Sequence, residues 1–128
     1  MKNYILILIS IILLFCSCDK KAIHEYYIKN NCESTIIVNV LDYQNKFSST
    51  EITAGVEKLI YFGTTINDIG DGTINGSTIT FIKDINIKKG DTILNKNLLD
   101  YHIWRFEKTS RLYARSYLTI TLEDFMKN

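Results

Sequence analysis

Beyond residue 22 the chain runs in short stretches rich in Ile, Val, Thr, Tyr and Phe, broken by Asn, Gly, Asp and Ser. This pattern predicts strands near 24–30, 35–42, 46–53, 57–63, 78–83, 101–108 and 111–122. Asn30-Asn31, Gln44-Asn45 and Ala54-Gly55 mark turns between them. The last run is the most regular. In RLYARSYLTITL, Leu112, Ala114, Ser116, Leu118, Ile120 and Leu122 fall on one face, and Arg111, Tyr113, Arg115, Tyr117, Thr119 and Thr121 on the other. Alternation of that length is a strand with one buried face. In 35–42, Ile36, Val38 and Val40 share a face while Ile37 and Leu41 oppose them, as expected of a strand covered on both sides. No stretch keeps helical apolar spacing over ten positions, which leaves room only for short helices at Asn97-Leu98-Leu99 or Leu122-Glu123-Asp124-Phe125. Seven short strands at roughly ten-residue spacing imply an all-β fold: an antiparallel β-sandwich of about seven strands, with a small barrel as the alternative. Without an internal repeat or linker, residues 23–128 read as one β-sandwich domain.

The first residues follow a different rule. Met1-Lys2-Asn3 supplies a positive charge, and YILILISIILLF at 4–15 is apolar apart from Ser10 and the phenol of Tyr4. As a helix this run reaches roughly 18 Å, well short of a ~30 Å hydrocarbon core. A charged start, a short apolar stretch and then small residues is the layout of a secretory signal. Phe15-Cys16-Ser17-Cys18 follows and resembles the lipobox of bacterial lipoproteins, in which a small residue precedes a cysteine that receives diacylglycerol before cleavage. Ser17 fits the small position; the bulky Phe15 before Cys16 does not, and it stands where an aliphatic residue is commonest. The resemblance implies a lipoprotein signal peptide at 1–17, palmitate-type acylation at Cys18, and a lipidated tether at 18–22. It also implies a lipid-anchored place in the bacterial cell envelope. Asp19 directly after the cysteine retains such proteins in the inner membrane of some bacteria and has no such meaning in others; we expect the outer membrane rather than the inner.

Other readings of the cysteine pair fit poorly. Structural zinc wants four ligands with C-x₂₋₄-C spacing, and a redox pair wants C-x-x-C. Removing 1–17 takes one of the 15 basic side chains and none of the 14 acidic ones, which leaves an even balance. A neutral chain has no electrostatic footprint for nucleic acid. Cys32 is then the one remaining thiol, either a small buried residue or an intermolecular or reactive group.

Catalytic and metal signatures are sparse. The polar loop NDIGDGTINGS at 67–77 fails the EF-hand spacing from either Asn67 or Asp68, so Asp68 and Asp71 offer at most an irregular calcium site. His24 and His102 lie on different predicted strands and read as ordinary sheet histidines. No G-x-S-x-G elbow is present. We therefore expect no enzyme activity, no cofactor and no metal.

The aromatic residues are more suggestive. Tyr113 and Tyr117 project from one face with Arg111 and Arg115 beside them, and Tyr26 or Tyr27, Tyr61, Tyr101 and Trp104 join them if neighbouring strands align. Tyr, Trp and Arg are enriched at protein interfaces, and flat aromatic faces also stack on sugars. Asp91-Thr92-Ile93 matches a short pattern that some bacteria O-glycosylate, which marks Thr92. Trp104 and the stretch YLTITLEDF at 117–125 resemble the closing part of small bacterial lipoproteins with immunoglobulin-like sandwiches; the resemblance implies that form of sandwich and no activity. The expectation is a non-enzymatic envelope lipoprotein that binds another protein, or serves as an accessory subunit, through Arg111, Tyr113, Arg115, Tyr117 and Trp104. Glycan binding is the alternative, followed by an immunity or inhibitor role against an envelope-acting toxin or hydrolase.

Overall fold

In the computed structural model, which describes residues 20–66, 68–74 and 76–126, the chain is an all-β sandwich. Its strands are β1 (Lys21–Asn30), β2 (Ile36–Asp42), β3 (Phe47–Ile52), β4 (Glu57–Ile66), β5 (Thr73–Ile74), β6 (Thr78–Ile79), β7 (Ile82–Lys89), β8 (Thr92–Ile93), β9 (Arg105–Ser110) and β10 (Tyr113–Ile120). A 3₁₀ turn at Tyr101–Ile103 and one short helix, α1 (Leu122–Met126), complete the described chain. Sheet A has the order β4-β1-β10-β9 and sheet B the order β3-β2-β7-β8; β5 and β6 form a separate small hairpin. None of the sheets closes on itself, so the barrel alternative does not hold. The predicted signal peptide and Cys18 lie outside the described residues.

Alternation explains how the two sheets meet. Ala22, His24, Tyr26, Ile28 and Asn30 of β1 and Ala114, Ser116, Leu118 and Ile120 of β10 turn inward. Ile36, Val38 and Val40 of β2 with Ile82, Ile85 and Ile87 of β7 meet them from sheet B. Each fully buried aliphatic side chain contributes on the order of 2 kcal/mol, and this shared core is what holds the sheets together. Asn30 secures the crossover from β1 to β2. Its Nδ2 donates to Ser34 O and Ile52 O, both at 2.8 Å, and its Oδ1 accepts from Cys32 N at 2.9 Å. Asp42 does the same for the β2–β3 turn. Its Oδ1 accepts from the backbone N–H groups of Gln44 and Lys46, and Asn45 takes the left-handed conformation that asparagine tolerates.

Four features differ from the sequence reading. β1 and β10 run parallel, so sheet A is mixed rather than wholly antiparallel. Strand β7 falls where no strand was expected beyond residue 83: a register shift against β2 pairs Leu41 with Asp84 and Asp42 with Ile82. The extra residue spaces the inward side chains Ile82, Ile85 and Ile87 unevenly and hides the alternation. The stretch expected as a strand from 101 opens instead with the 3₁₀ turn, capped by Asp100. At the start, β1 takes in Lys21 and Ala22, which shortens the expected tether.

Candidate functional site

The pairing of β1 with β10 sets two polar groups on opposite faces of one ladder. Outward, Ile23 stands opposite Tyr113, Glu25 opposite Arg115, and Tyr27 opposite Tyr117. Glu25 Oε2 accepts from Tyr27 Oη at 2.9 Å, from Arg115 Nε at 3.2 Å, and from Tyr113 Oη in a short hydrogen bond. Arg115 Nε also donates to Tyr113 Oη at 2.9 Å. Partial desolvation would raise the Glu25 carboxyl, but hydrogen bonds from Tyr113, Tyr27 and Arg115 bring it below its ordinary value. The Tyr113 hydroxyl is correspondingly pushed up by its bond to Glu25. Next along the ladder the Tyr27 and Tyr117 rings stack with centroids 5.4 Å apart, and the Arg105 guanidinium lies 4.7 Å from the centre of the Tyr117 ring. Arg115 sits 5.1 Å from the Tyr113 ring and 5.9 Å from Tyr27. The result is a surface of five half-buried side chains with the exposed Arg105 laid over one edge.

The expected binding-face residues divide on this geometry. Tyr113, Arg115 and Tyr117 share the outer face, and Tyr27 joins them. Arg111 is exposed in the β9–β10 turn, 3.8 Å from Asp68, away from the stacked rings. Trp104 does not belong to the face. It is 5 % exposed, donates Nε1–H to Leu98 O at 2.8 Å, and meets the Tyr26 ring edge-on inside the core. Trp104 has extended backbone and stands next to the outward Arg105, so strand alternation sends the indole inward, on the side of Phe106. Tyr26 is buried, and Tyr101 lies in the 3₁₀ turn, packed against the core. Sequence reading missed Glu25 and Arg105; the outward positions of β1 and β9 would have suggested both, but only the register places them beside Arg115 and Tyr117. Thr92 is exposed on β8.

Inward, the same ladder carries a second network. His24 is fully buried, and its Nε2 lies 2.9 Å from Ser116 Oγ. Tyr26 Oη donates to Thr80 O at 2.7 Å, so its hydroxyl hydrogen is committed. Nδ1 then faces Thr80 Oγ1 and Tyr26 Oη, each at 3.4 Å. The Ser116 and Thr80 hydroxyls can each donate or accept, so the ring is satisfied on both nitrogens in either neutral tautomer. Desolvation lowers the His24 pKa to about 4, which keeps the ring neutral. Phe81 and Phe106 close over the imidazole edge-on. Phe81 holds a φ of 69°, and its ring occupies the space that a side chain at Gly63 would need. A serine beside a histidine invites comparison with a nucleophile and base, but Nδ1 has no carboxylate to orient it and Ser116 is buried in a central strand.

Other candidate chemistry is spent locally. Asp68 accepts from Gly70 N and Lys108, and Asp71 from the N–H and hydroxyl of Thr73. Among the described residues no three His, Cys, Asp or Glu side chains converge as metal ligands. His102 pairs with Asp100 at 2.9 Å on the surface. Cys32 is buried, and desolvation pushes its thiol pKa up. A cleft of about 680 Å³ opens beside β4, lined by Asp42, Tyr61, Phe62, Thr80 and Phe81 among others. Its buried polar groups already have partners: Asp42 in its turn and with Tyr61, Thr80 with Tyr26. No protein-family model, curated protein or solved structure matches the chain.

Proposed function

We propose that this chain is a lipid-anchored, non-enzymatic lipoprotein of the bacterial envelope that binds another protein through the outer face of sheet A. The observation that carries the reading is the interlocked set Glu25, Tyr27, Arg105, Tyr113, Arg115 and Tyr117. Tyrosine and arginine supply most of the energy at protein interfaces. Side chains already held by their neighbours lose little entropy on binding. Protein rather than glycan is favoured because sugar stacking needs an open ring face. Here Tyr27 and Tyr117 face one another and Arg105 covers Tyr117.

The anchor rests on the lipobox resemblance at Cys18. With β1 starting at Lys21, three residue steps separate that cysteine from the sheet, a reach of roughly 10 Å. The domain would sit against the membrane, and its partner would be found there too. Two substitutions test the two halves separately. Cys18→Ser should move the protein from the membrane to the soluble fraction; unchanged fractionation would refute the anchor. Tyr113→Ala with Tyr117→Ala should abolish capture of one envelope protein while the fold is retained; undiminished capture would refute the face.

A further inference from the structure

Four strands form the open edges of the two sheets, and three of them are blunted in different degrees. β8 has only two residues. β9 carries Arg105, Glu107 and Lys108 within six, and β3 is a six-residue strand that carries Glu51. β4 is different. It has ten residues, its charges are confined to Glu57 and Lys58, and the eight residues Leu59–Ile66 carry none. Leu59, Phe62 and Ile66 are 41 %, 60 % and 55 % exposed. Among the described residues, no backbone hydrogen bond joins β4 to any segment but β1. A long, uncharged, apolar edge pairs readily with another strand unless something protects it.

We propose that β4 pairs antiparallel with β4 of a second copy, about a two-fold axis through Thr64, which joins the two A sheets into one of eight strands. The strand is complementary to itself in this register. Phe62, Thr64 and Ile66 stand opposite Glu25, Ile23 and Lys21 of β1, so all three point to the outer face. Pairing about Thr64 sets Phe62 of each copy opposite Ile66 of the other and Thr64 opposite itself. It brings together the two most exposed apolar side chains of the strand, and no charge meets a like charge. A self-complementary patch of this kind closes as a dimer rather than a filament. Pairing about Gly63 instead would set Ile66 against Ile60, which the β4 irregularity turns inward, and the faces would no longer match.

The start of the chain fits the same arrangement. Lys21 stands level with Ile66, two residues from the axis. Three strand spacings across and four residues along leave the two β1 starts roughly 20 Å apart. Both tethers therefore emerge near the centre of the pair, where two anchors reach one membrane. This point alone depends on the lipid anchor; the pairing does not.

The experiment is sedimentation of the full-length chain purified in detergent, and mild oxidation of the same chain with Cys16→Ser and Cys18→Ser, carrying Thr64→Cys or, as a control on the same face, Thr119→Cys. The pairing predicts a dimer and a Thr64→Cys disulfide between copies, because residues directly opposite across an antiparallel pair have Cα atoms about 4.5–5.5 Å apart. The Thr119→Cys chain should remain unlinked, and the buried Cys32 should not compete. Phe62→Lys should weaken the dimer at least tenfold, and Phe62→Lys combined with Ile66→Glu should restore it. The proposal is overturned if the wild-type chain sediments as a monomer up to hundreds of micromolar, or if Thr64→Cys cross-links no faster than Thr119→Cys. A wild-type chain that captures its partner but forms no dimer would overturn the pairing and leave the protein-binding face standing.

Discussion

The two faces of the β1–β10 ladder carry polar networks built from the same strands in the same register, yet the networks answer to different constraints. Inward, the buried His24, Tyr26 and Ser116 and the half-buried Thr80 satisfy one another. Any donor or acceptor left alone there would cost about 1–3 kcal/mol, so this network is coupled to folding. Outward, Glu25, Tyr113 and Arg115 make as many bonds, but water could replace each of them at little cost. The outer network therefore adds little to stability. Its effect is to hold three tyrosines and two arginines in one arrangement against solvent, which is what a binding surface needs.

That contrast can be broken from either side. The largest effect should come from the end of the inner face. Asn30→Ala leaves two buried backbone groups, Ile52 O and Cys32 N, and the more exposed Ser34 O without their partner and should cost about 4 kcal/mol in urea unfolding. Next comes the pH dependence of the inner network. His24 binds its proton at about 4 in the folded chain, against an ordinary value of 6.5. The folded state therefore holds fewer protons than the unfolded one between those values. Stability is complete above pH 6.5 and falls as pH drops towards 4, by about 3 kcal/mol in all. Urea midpoints at pH 7, 5.5 and 4 should show the decline, and His24→Gln should flatten it. Tyr26→Phe removes the donor to Thr80 O and should cost about 1–2 kcal/mol in the same measurement. On the outer face the scale is smaller. Tyr113→Ala with Tyr117→Ala should lower stability by about 1 kcal/mol or less, while abolishing the proposed partner binding. A loss of several kcal/mol would mean that the outer cluster is structural.

Legibility from sequence follows the same division between what alternation encodes and what register encodes. The faces of β10 were readable because Tyr113–Ile120 alternates without interruption. Ser116 was placed inside on that ground alone. β7 was not readable because an extra residue breaks its alternation opposite Asp42. Alternation with the outward Arg105 sets Trp104 inward, but the 3₁₀ turn before it packs both Tyr101 and Ile103 against the core as well and hides that phase in the sequence. Alternation states which way a side chain points but names no neighbour. The parallel pairing of β1 with β10 set Glu25 beside Arg115 and His24 beside Ser116, across ninety residues of chain or more that carry no local signal of it.

The central claim is that the outer face of sheet A is a binding surface and that of sheet B is not. A photo-cross-linking residue placed in intact cells at Thr119, and separately at Ile37 on the outer side of β2, tests it most directly. The account predicts one dominant adduct with a different protein from position 119, lost in the Tyr113→Ala, Tyr117→Ala background, and none from position 37. The same product from both positions, or none from position 119, would contradict it.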